Sequence, residues 1–153
     1  DGVTGSGQAY IFRSASGGTT WNEIQKLAAS DKAANNYFGM AVSIDGYRIL
    51  VGAFYHAFSG AAYVFGSTDE GASWPSSENE KFTASDGASG DQFGLSVTVF
   101  GNDALIGAPG HRTGGIGNSG AAYVYEMKRI KAPLPKGIEP LPEDDQTYCC
   151  GCM

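Results

Sequence analysis

The sequence contains one segment twice, and this internal repeat limits the chain to folds that are built from equal units. Residues 89–110 read SGDQFGLSVTVFGNDALIGAPG, and residues 35–55 read NNYFGMAVSIDGYRILVGAFY, so that Phe38 corresponds to Phe93 at an offset of 55 residues. In each copy, two short apolar runs flank a polar turn that contains glycine, which is the pattern of a β-hairpin. A repeat of this length indicates an array of supersecondary units.

A strand-like pattern occurs three times in the chain. It reads GQAYIFR at residues 7–13, GAAYVFG at residues 60–66 and GAAYVYE at residues 120–126. Successive residues of a strand point to opposite faces of the sheet, and here both faces are apolar. Such strands belong in sheets that are covered on both sides, which in an antiparallel repeat protein predicts sheets stacked face to face around an axis.

A glycine-rich turn and a Trp follow the first two of these strands, as SASGGTTW at residues 14–21 and STDEGASW at residues 67–74. We interpret each Trp and the apolar residue beyond it, Leu27 or Phe82, as markers of an outer strand. The repeating unit then has four strands. The chain is predicted to supply two strands, then four, then three, and the ordered array is predicted to end near Met127.

The composition favours turn-rich β structure and excludes two classes of partner. Glycine accounts for 23 of the 153 residues, about twice its usual share. The formal net charge is −6, whereas a nucleic acid or an anionic membrane requires a basic surface. No apolar run approaches the ~20 residues that span a bilayer, so we expect no membrane insertion by this segment.

The Phe-Gly pair at the start of each hairpin and the Gly-Ala-Pro at its end resemble the motifs of the FG-GAP repeat family. This family is best known from the β-propeller head of integrin α subunits. The later copy contains the whole motif, and the earlier copy has Phe54 in place of the proline. The motif residues are Phe38, Gly39, Gly52 and Ala53 in the earlier copy and Phe93, Gly94, Gly107, Ala108 and Pro109 in the later one.

The resemblance covers about residues 7–127 and is closest to the short, bacterial-type form of the repeat. It implies an all-β fold, namely a partial β-propeller of four-stranded antiparallel blades. The predicted strands would then make about two and a half blades. Because a propeller ordinarily closes with at least four blades, we expect the sequence to be a fragment that leaves a sheet face uncovered at each end.

Integrin-type copies of the repeat commonly carry a calcium loop between the two strands of the hairpin. At those positions this chain has IDGYR (44–48) and VFGND (99–103), each with one carboxylate. Calcium takes six to eight oxygen ligands, which one carboxylate in a tight turn does not supply. We therefore expect no metal and no cofactor in these blades. Asp86 and Asp91 are a competing candidate, but Asp and Gly in a surface loop are typical turn formers.

The turn at residues 67–74 fits the Asp-box pattern Ser-x-Asp-x-Gly-x-x-Trp, and in this it resembles a turn of sialidase-like and other propellers. The first turn fits the pattern with Ser16 in place of Asp. We expect Asp69 to accept backbone hydrogen bonds, Gly71 to adopt a positive φ and Trp74 to cover the hairpin. The motif is thus predicted to be structural rather than catalytic.

A sialidase-like glycoside hydrolase is the enzymatic alternative that this pattern raises. Its carboxylate-binding site would need a cluster of arginines, and no motif in the sequence brings three arginines together. The arginines are Arg13, Arg48, Arg112 and Arg129. The two histidines, His56 and His111, lie 55 residues apart at equivalent repeat positions, which favours a shared role in the loops over a catalytic pair. We therefore predict no catalytic residue.

The loops after the two hairpins are the best candidates for partner binding. The first carries Tyr55, His56 and Phe58, and the second carries His111 and Arg112. Exposed aromatic, His and Arg side chains on a rigid scaffold are typical of contact surfaces, although the same segments would also serve as plain connectors. The chain is therefore predicted to be a non-catalytic binding or adhesion module for a protein or glycan ligand, in a larger secreted or cell-surface protein.

The composition changes after residue 127, and residues 128–153 are predicted to be a flexible tail or linker. This segment contains four of the six prolines and all three cysteines. We interpret Cys149, Cys150 and Cys152 as the start of a cysteine-rich segment rather than as a lipidation signal, because Gly and Cys occupy the aliphatic positions of that signal. Further blades of the same chain, or self-association, are expected to cover the end faces.

Overall fold

The computed structural model describes residues 2–114 and 117–130, and within them nine strands form three antiparallel sheets. We call the sheets the first, second and third blades. The predicted series of two, four and three strands is confirmed. The first blade contains β1 (Ala9–Arg13) and β2 (Asn22–Leu27); the second contains β3 (Ala41–Asp45), β4 (Arg48–Ala53), β5 (Ala61–Gly66) and β6 (Glu80–Phe82); the third contains β7 (Ser96–Phe100), β8 (Asp103–Ala108) and β9 (Ala121–Glu126).

The second blade lies between the other two, and this position explains why its central strands are apolar on both faces. In β4, Ile49 and Val51 pack with the first blade, whereas Leu50 packs with the third. Every residue of β5 is buried. Each sheet face therefore contributes to one of two hydrophobic cores, since alternate residues of a strand point to opposite sides.

The glycines of the repeated motif lie where consecutive blades touch. A Cβ atom on Gly52 of the second blade would clash with the backbone carbonyl of Gly94 in the third. Gly94 itself has a φ of +89°, and a Cβ there would clash with the carbonyl of Ala61. Glycine is therefore required at both positions, because only a residue without a side chain lets these backbones approach.

The phenylalanine beside each of these glycines anchors its own blade. Phe93 is fully buried, and its ring lies 5.3 Å from that of Tyr123 in an edge-to-face arrangement. Phe38 makes the same contact with Tyr63 in the second blade, at 5.5 Å between ring centroids. Phe93 thus packs in the core between the second and third blades, and Gly94 brings the two backbones into contact.

Both outer faces of the stack expose apolar side chains. On the third blade, Leu105 and Val124 occupy the positions that correspond to the buried Leu50 and Val64, yet Val124 is 70% exposed. On the first blade, Tyr10 and Phe12 correspond to the buried Tyr63 and Phe65 but are 48% and 52% exposed. These surfaces have the residues of a blade interface without a blade against them.

The chain continues past β9 along the second blade. Met127 is buried, and the backbone N–H of Lys128 donates a hydrogen bond of 2.6 Å to the Glu80 carboxylate. Ile130 packs against Gly66, where a side chain would clash with it. Residues 131–153, with the cysteines and most of the predicted tail, lie outside the described residues, so that prediction stays untested.

Replacing Gly52 by alanine should destabilise the protein by about 2 kcal/mol, because the new methyl group meets a backbone carbonyl that cannot move independently. Gly107→Ala is the matched control. The added Cβ there meets the Ser96 side-chain oxygen, which can rotate away, so we expect a smaller loss. Urea denaturation of both variants measures the difference. Equal losses would show that the contact between the blades is not what requires glycine.

Candidate functional site

The loop after β4 lies at the end of the stack where the connections between blades also run. A short 3-10 helix, His56–Phe58, shapes this loop, and the Gly60 N–H closes it on the His56 carbonyl at 2.8 Å. The Phe58 carbonyl accepts a hydrogen bond of 2.9 Å from Gly90 in the connection to the third blade. The loop is therefore fixed to the neighbouring blade rather than projecting alone.

The ring of His56 holds the connection between the first and second blades. The Asn36 amide lies 2.9 Å from Nδ1, and the Lys81 ammonium lies 2.8 Å from Nε2. Lys81 also donates to Asp31 at 2.6 Å, and the Tyr63 hydroxyl donates to the same carboxylate at 2.8 Å. Because an ammonium is only a donor, Nε2 accepts the hydrogen bond from Lys81. We call these five residues the second-blade clamp.

The corresponding residues of the next repeat form a third-blade clamp with different charges. The Nδ1 atom of His111 lies 2.9 Å from the Asp91 carboxylate, and Nε2 lies 3.6 Å from that of Asp86. The Tyr123 hydroxyl donates to Asp86 at 2.8 Å. Asp91 also accepts the backbone N–H of Ala88 at 2.8 Å, so this carboxylate stabilises the turn in the connection as well.

The clamps shift the pKa values of their members in predictable directions. Burial lowers the pKa of His56, and the neighbouring Lys81 lowers it further, against the opposing effect of Asp31. Burial and the hydrogen bond to Asp31 raise the pKa of Tyr63. The hydrogen bond from Ala88, followed by that from His111, holds the pKa of Asp91 below its usual value.

The expectation that the two histidine side chains are exposed is wrong. The side chains of His56 and His111 are only 13% and 12% exposed, and both ring nitrogens of each face groups of the clamps. Arg112, by contrast, is exposed. The sequence contains a signal for this arrangement. Asp31 and Asp86 each lie 25 residues before the histidine of the same repeat, in the connection between blades that this histidine contacts.

Four aromatic side chains meet at the surface beside the second-blade clamp. Tyr37 stacks on Phe54 with 5.3 Å between ring centroids, and Tyr55 lies edge-on to Phe58 at 5.5 Å. Tyr37, Tyr55 and Phe58 are 45%, 41% and 61% exposed. We call these four residues the aromatic group. Sequence reasoning selected Tyr55 and Phe58 but missed Tyr37 and Phe54, which come from the connection and the end of β4.

Two members of the aromatic group have left-handed backbone conformations, which are costly for bulky residues. The φ values are +53° for Tyr37 and +65° for Phe58. Gln92, which corresponds to Tyr37 in the next repeat, also has a positive φ of +60°. The backbone conformation at this position therefore belongs to the repeat, whereas the aromatic side chain does not.

The positions of the aromatic group carry other residue types in the third blade. Gln92, Pro109 and Gly110 correspond to Tyr37, Phe54 and Tyr55. The repeat thus folds without aromatic rings at these positions.

The turn at residues 67–74 has a local structural role. The Asp69 carboxylate accepts hydrogen bonds from the backbone N–H of Ser73 at 2.8 Å and from the Ser67 hydroxyl at 2.7 Å. With the Ser73 hydroxyl as the largest cause, these bonds hold the pKa of Asp69 at about 2. Gly71 has a φ of +79°, and Trp74 packs against the core between the first and second blades.

The described residues offer no group of three or more His, Cys, Asp or Glu side chains that could hold a metal ion. Two arginines are bonded to backbone carbonyls. Arg48 donates to the carbonyl of Gly101 at 2.7 Å, and Arg13 donates to that of Gly71 at 3.3 Å, both at the end of the strands away from Arg112. Arg112 is therefore separated from these two guanidinium groups by the length of a strand.

A family model described as FG-GAP repeat matches residues 21–65 and 76–125. The chain belongs to the FG-GAP repeat family. Each matched segment runs from the outer strand of one blade to the third strand of the next, so the family's repeat contains the contact between the blades. No curated protein sequence matches the chain. Among the described residues, no helix is long and apolar enough to cross a membrane.

The second-blade clamp should weaken in acid. Because the pKa of His56 is lowered on folding, the unfolded chain takes up the proton first as the pH falls below the ordinary value of about 6.5. The free energy of unfolding should therefore decline between pH 7.5 and 5.5. The variant His56→Gln keeps a neutral partner for Lys81, so its free energy of unfolding should decline less over the same pH range. Chemical denaturation across this range tests the effect, and equal slopes for the two proteins would contradict it.

Proposed function

We propose that this FG-GAP chain is a non-catalytic binding or adhesion module whose blades present the aromatic group to a protein or glycan ligand. One observation carries the proposal. The second blade exposes an aromatic surface at positions where the third blade folds without it. Aromatic rings contribute much of the energy of interfaces.

The clamps have a supporting role in this proposal. His56 and His111 hold the loops in place, so that Tyr55, Phe58 and Arg112 are the side chains left to meet a ligand. A fixed loop loses little conformational entropy when it binds, which favours affinity. The predicted loops therefore divide into residues that position the site and residues that make contact.

The proposal places the chain in a larger secreted or cell-surface protein, because FG-GAP repeats occur in extracellular proteins. The apolar outer faces, which include Tyr10, Phe12, Leu105 and Val124, would be covered by further blades of the same chain or by a second copy. Sedimentation velocity on the isolated chain addresses this part. A sharply monomeric species at all concentrations would count against self-association.

A sialidase-like glycosidase is the competing function, since the turn at residues 67–74 fits the Asp-box pattern. The hydrogen bonds of Arg13 and Arg48 to backbone carbonyls, and the position of Arg112 at the other end of the strands, argue against it. Incubation of the purified chain with a fluorogenic sialoside separates the two classes, and we expect no turnover. Fluorescence that grows with enzyme concentration and time would overturn the non-catalytic proposal.

The aromatic group should account for most of the affinity for any ligand found on glycan and matrix-protein arrays. The double variant Tyr37→Gln, Tyr55→Gly carries the residues of the third blade and should bind at least ~10-fold more weakly, since exposed aromatic contacts are worth about 1–2 kcal/mol each. Biolayer interferometry on the strongest array ligands measures the change.

The matched control is Phe100→Asp. It removes a largely exposed aromatic ring at the other end of the strands and introduces the residue that the second blade has there, Asp45. We expect unchanged binding. Equal losses in the control and in the double variant would mean that the aromatic group is not the site.

A further inference from the structure

The rings of the aromatic group form a corner rather than a flat surface. Tyr37 and Phe54 are nearly parallel, at 21° between ring planes, whereas Tyr55 stands at 78° to the first and 67° to the second. Phe58 is in turn at 76° to Tyr55. Surfaces lined by aromatic rings are typical docking sites for proline rings of a peptide in the polyproline II conformation.

The polar side chains next to this corner are already paired with one another. Asn36 is bonded to His56, His56 to Lys81, and Lys81 to Asp31. A sugar presents many hydroxyl groups and needs several polar partners, each of which costs energy when it is left unsatisfied. The corner therefore suits a ligand that offers apolar rings and few polar groups, and a proline-rich peptide has this chemistry.

The chain itself contains two Pro-Leu-Pro sequences, at residues 133–135 and 140–142, beyond the described residues. Ile130 packs against Gly66, which is at the end of β5 away from the aromatic group. A strand of this length spans about 20 Å. The first Pro-Leu-Pro ends five residues after Ile130, and a chain of that length reaches at most about 18 Å. The second begins ten residues after Ile130, and ten residues can span about 31 Å in a polyproline II conformation.

We propose that Pro140-Leu141-Pro142 of the same molecule binds the aromatic group. The proposal rests on the proposed function in that it uses the same site. It means that the chain carries its own ligand and covers its binding surface until an outside ligand displaces it. A short tether gives a millimolar effective concentration, so even a weak contact would be populated.

Hydrogen–deuterium exchange of the full chain, in reducing buffer, tests the contact. The variant Pro140→Ala, Pro142→Ala should raise the exchange rate of residues 54–60 at least ~3-fold, because it removes the rings that cover the loop. The control variant Pro133→Ala, Pro135→Ala changes the Pro-Leu-Pro that cannot reach and should leave the rate unchanged. Thermal melting checks that both variants keep the fold.

Two outcomes would overturn the proposal: unchanged exchange in the first variant, or equal increases in both. Protection that grows with protein concentration would also overturn it, since the segment would then bind a second copy. Binding to the array ligands is measured separately. If the chain binds them equally well with and without Pro140 and Pro142, the proposed function stands and the self-ligand is rejected. If no outside ligand binds any variant, the proposed function fails, and the exchange data still decide the contact.

Discussion

The close approach of backbones between consecutive blades is the contact on which the rest of the structure depends. Gly52 and Gly94 leave no side chain between the sheets, so each blade comes near enough for Leu50 and Phe93 to share one hydrophobic core. Strands that are apolar on both faces follow from this stacking. The same contact fixes where the connection between blades runs, and thus brings it against the loop that follows β4.

At that end of the stack, the repeat keeps its architecture while its side chains diverge. Both repeats hold the connection with a histidine and a tyrosine, yet His56 meets a lysine and His111 meets two carboxylates. The left-handed backbone of Tyr37 recurs at Gln92. A scaffold that tolerates such exchanges can acquire a binding surface on one blade without changing its fold. The aromatic group is a surface of this kind, because the second blade carries it and the third blade does not.

Much of the fold could be read from patterns that act locally. The alternation of apolar residues predicted where the strands lie in the sequence, and the repeated turns predicted how they are grouped into blades. Both signals depend only on residues that are neighbours in the sequence. The site was only partly accessible. Tyr55 and Phe58 stood out as aromatic residues in a loop, but Tyr37 lies 18 residues earlier and joins them only because the connection folds back over β4. The burial of His56 was missed for the same reason.

The amino-acid sequence by itself determined that this protein is an array of four-stranded units, since strand periodicity, turn glycines and the FG-GAP motif are all written in consecutive residues. Only the tertiary structure decided which polar residues of the connections became partners of the histidines and which aromatic residues stayed at the surface. Those outcomes depend on contacts between residues 20 or more positions apart, such as Asn36 with His56 and Asp31 with Lys81. Stacking of the blades sets these distances, and no local pattern encodes them.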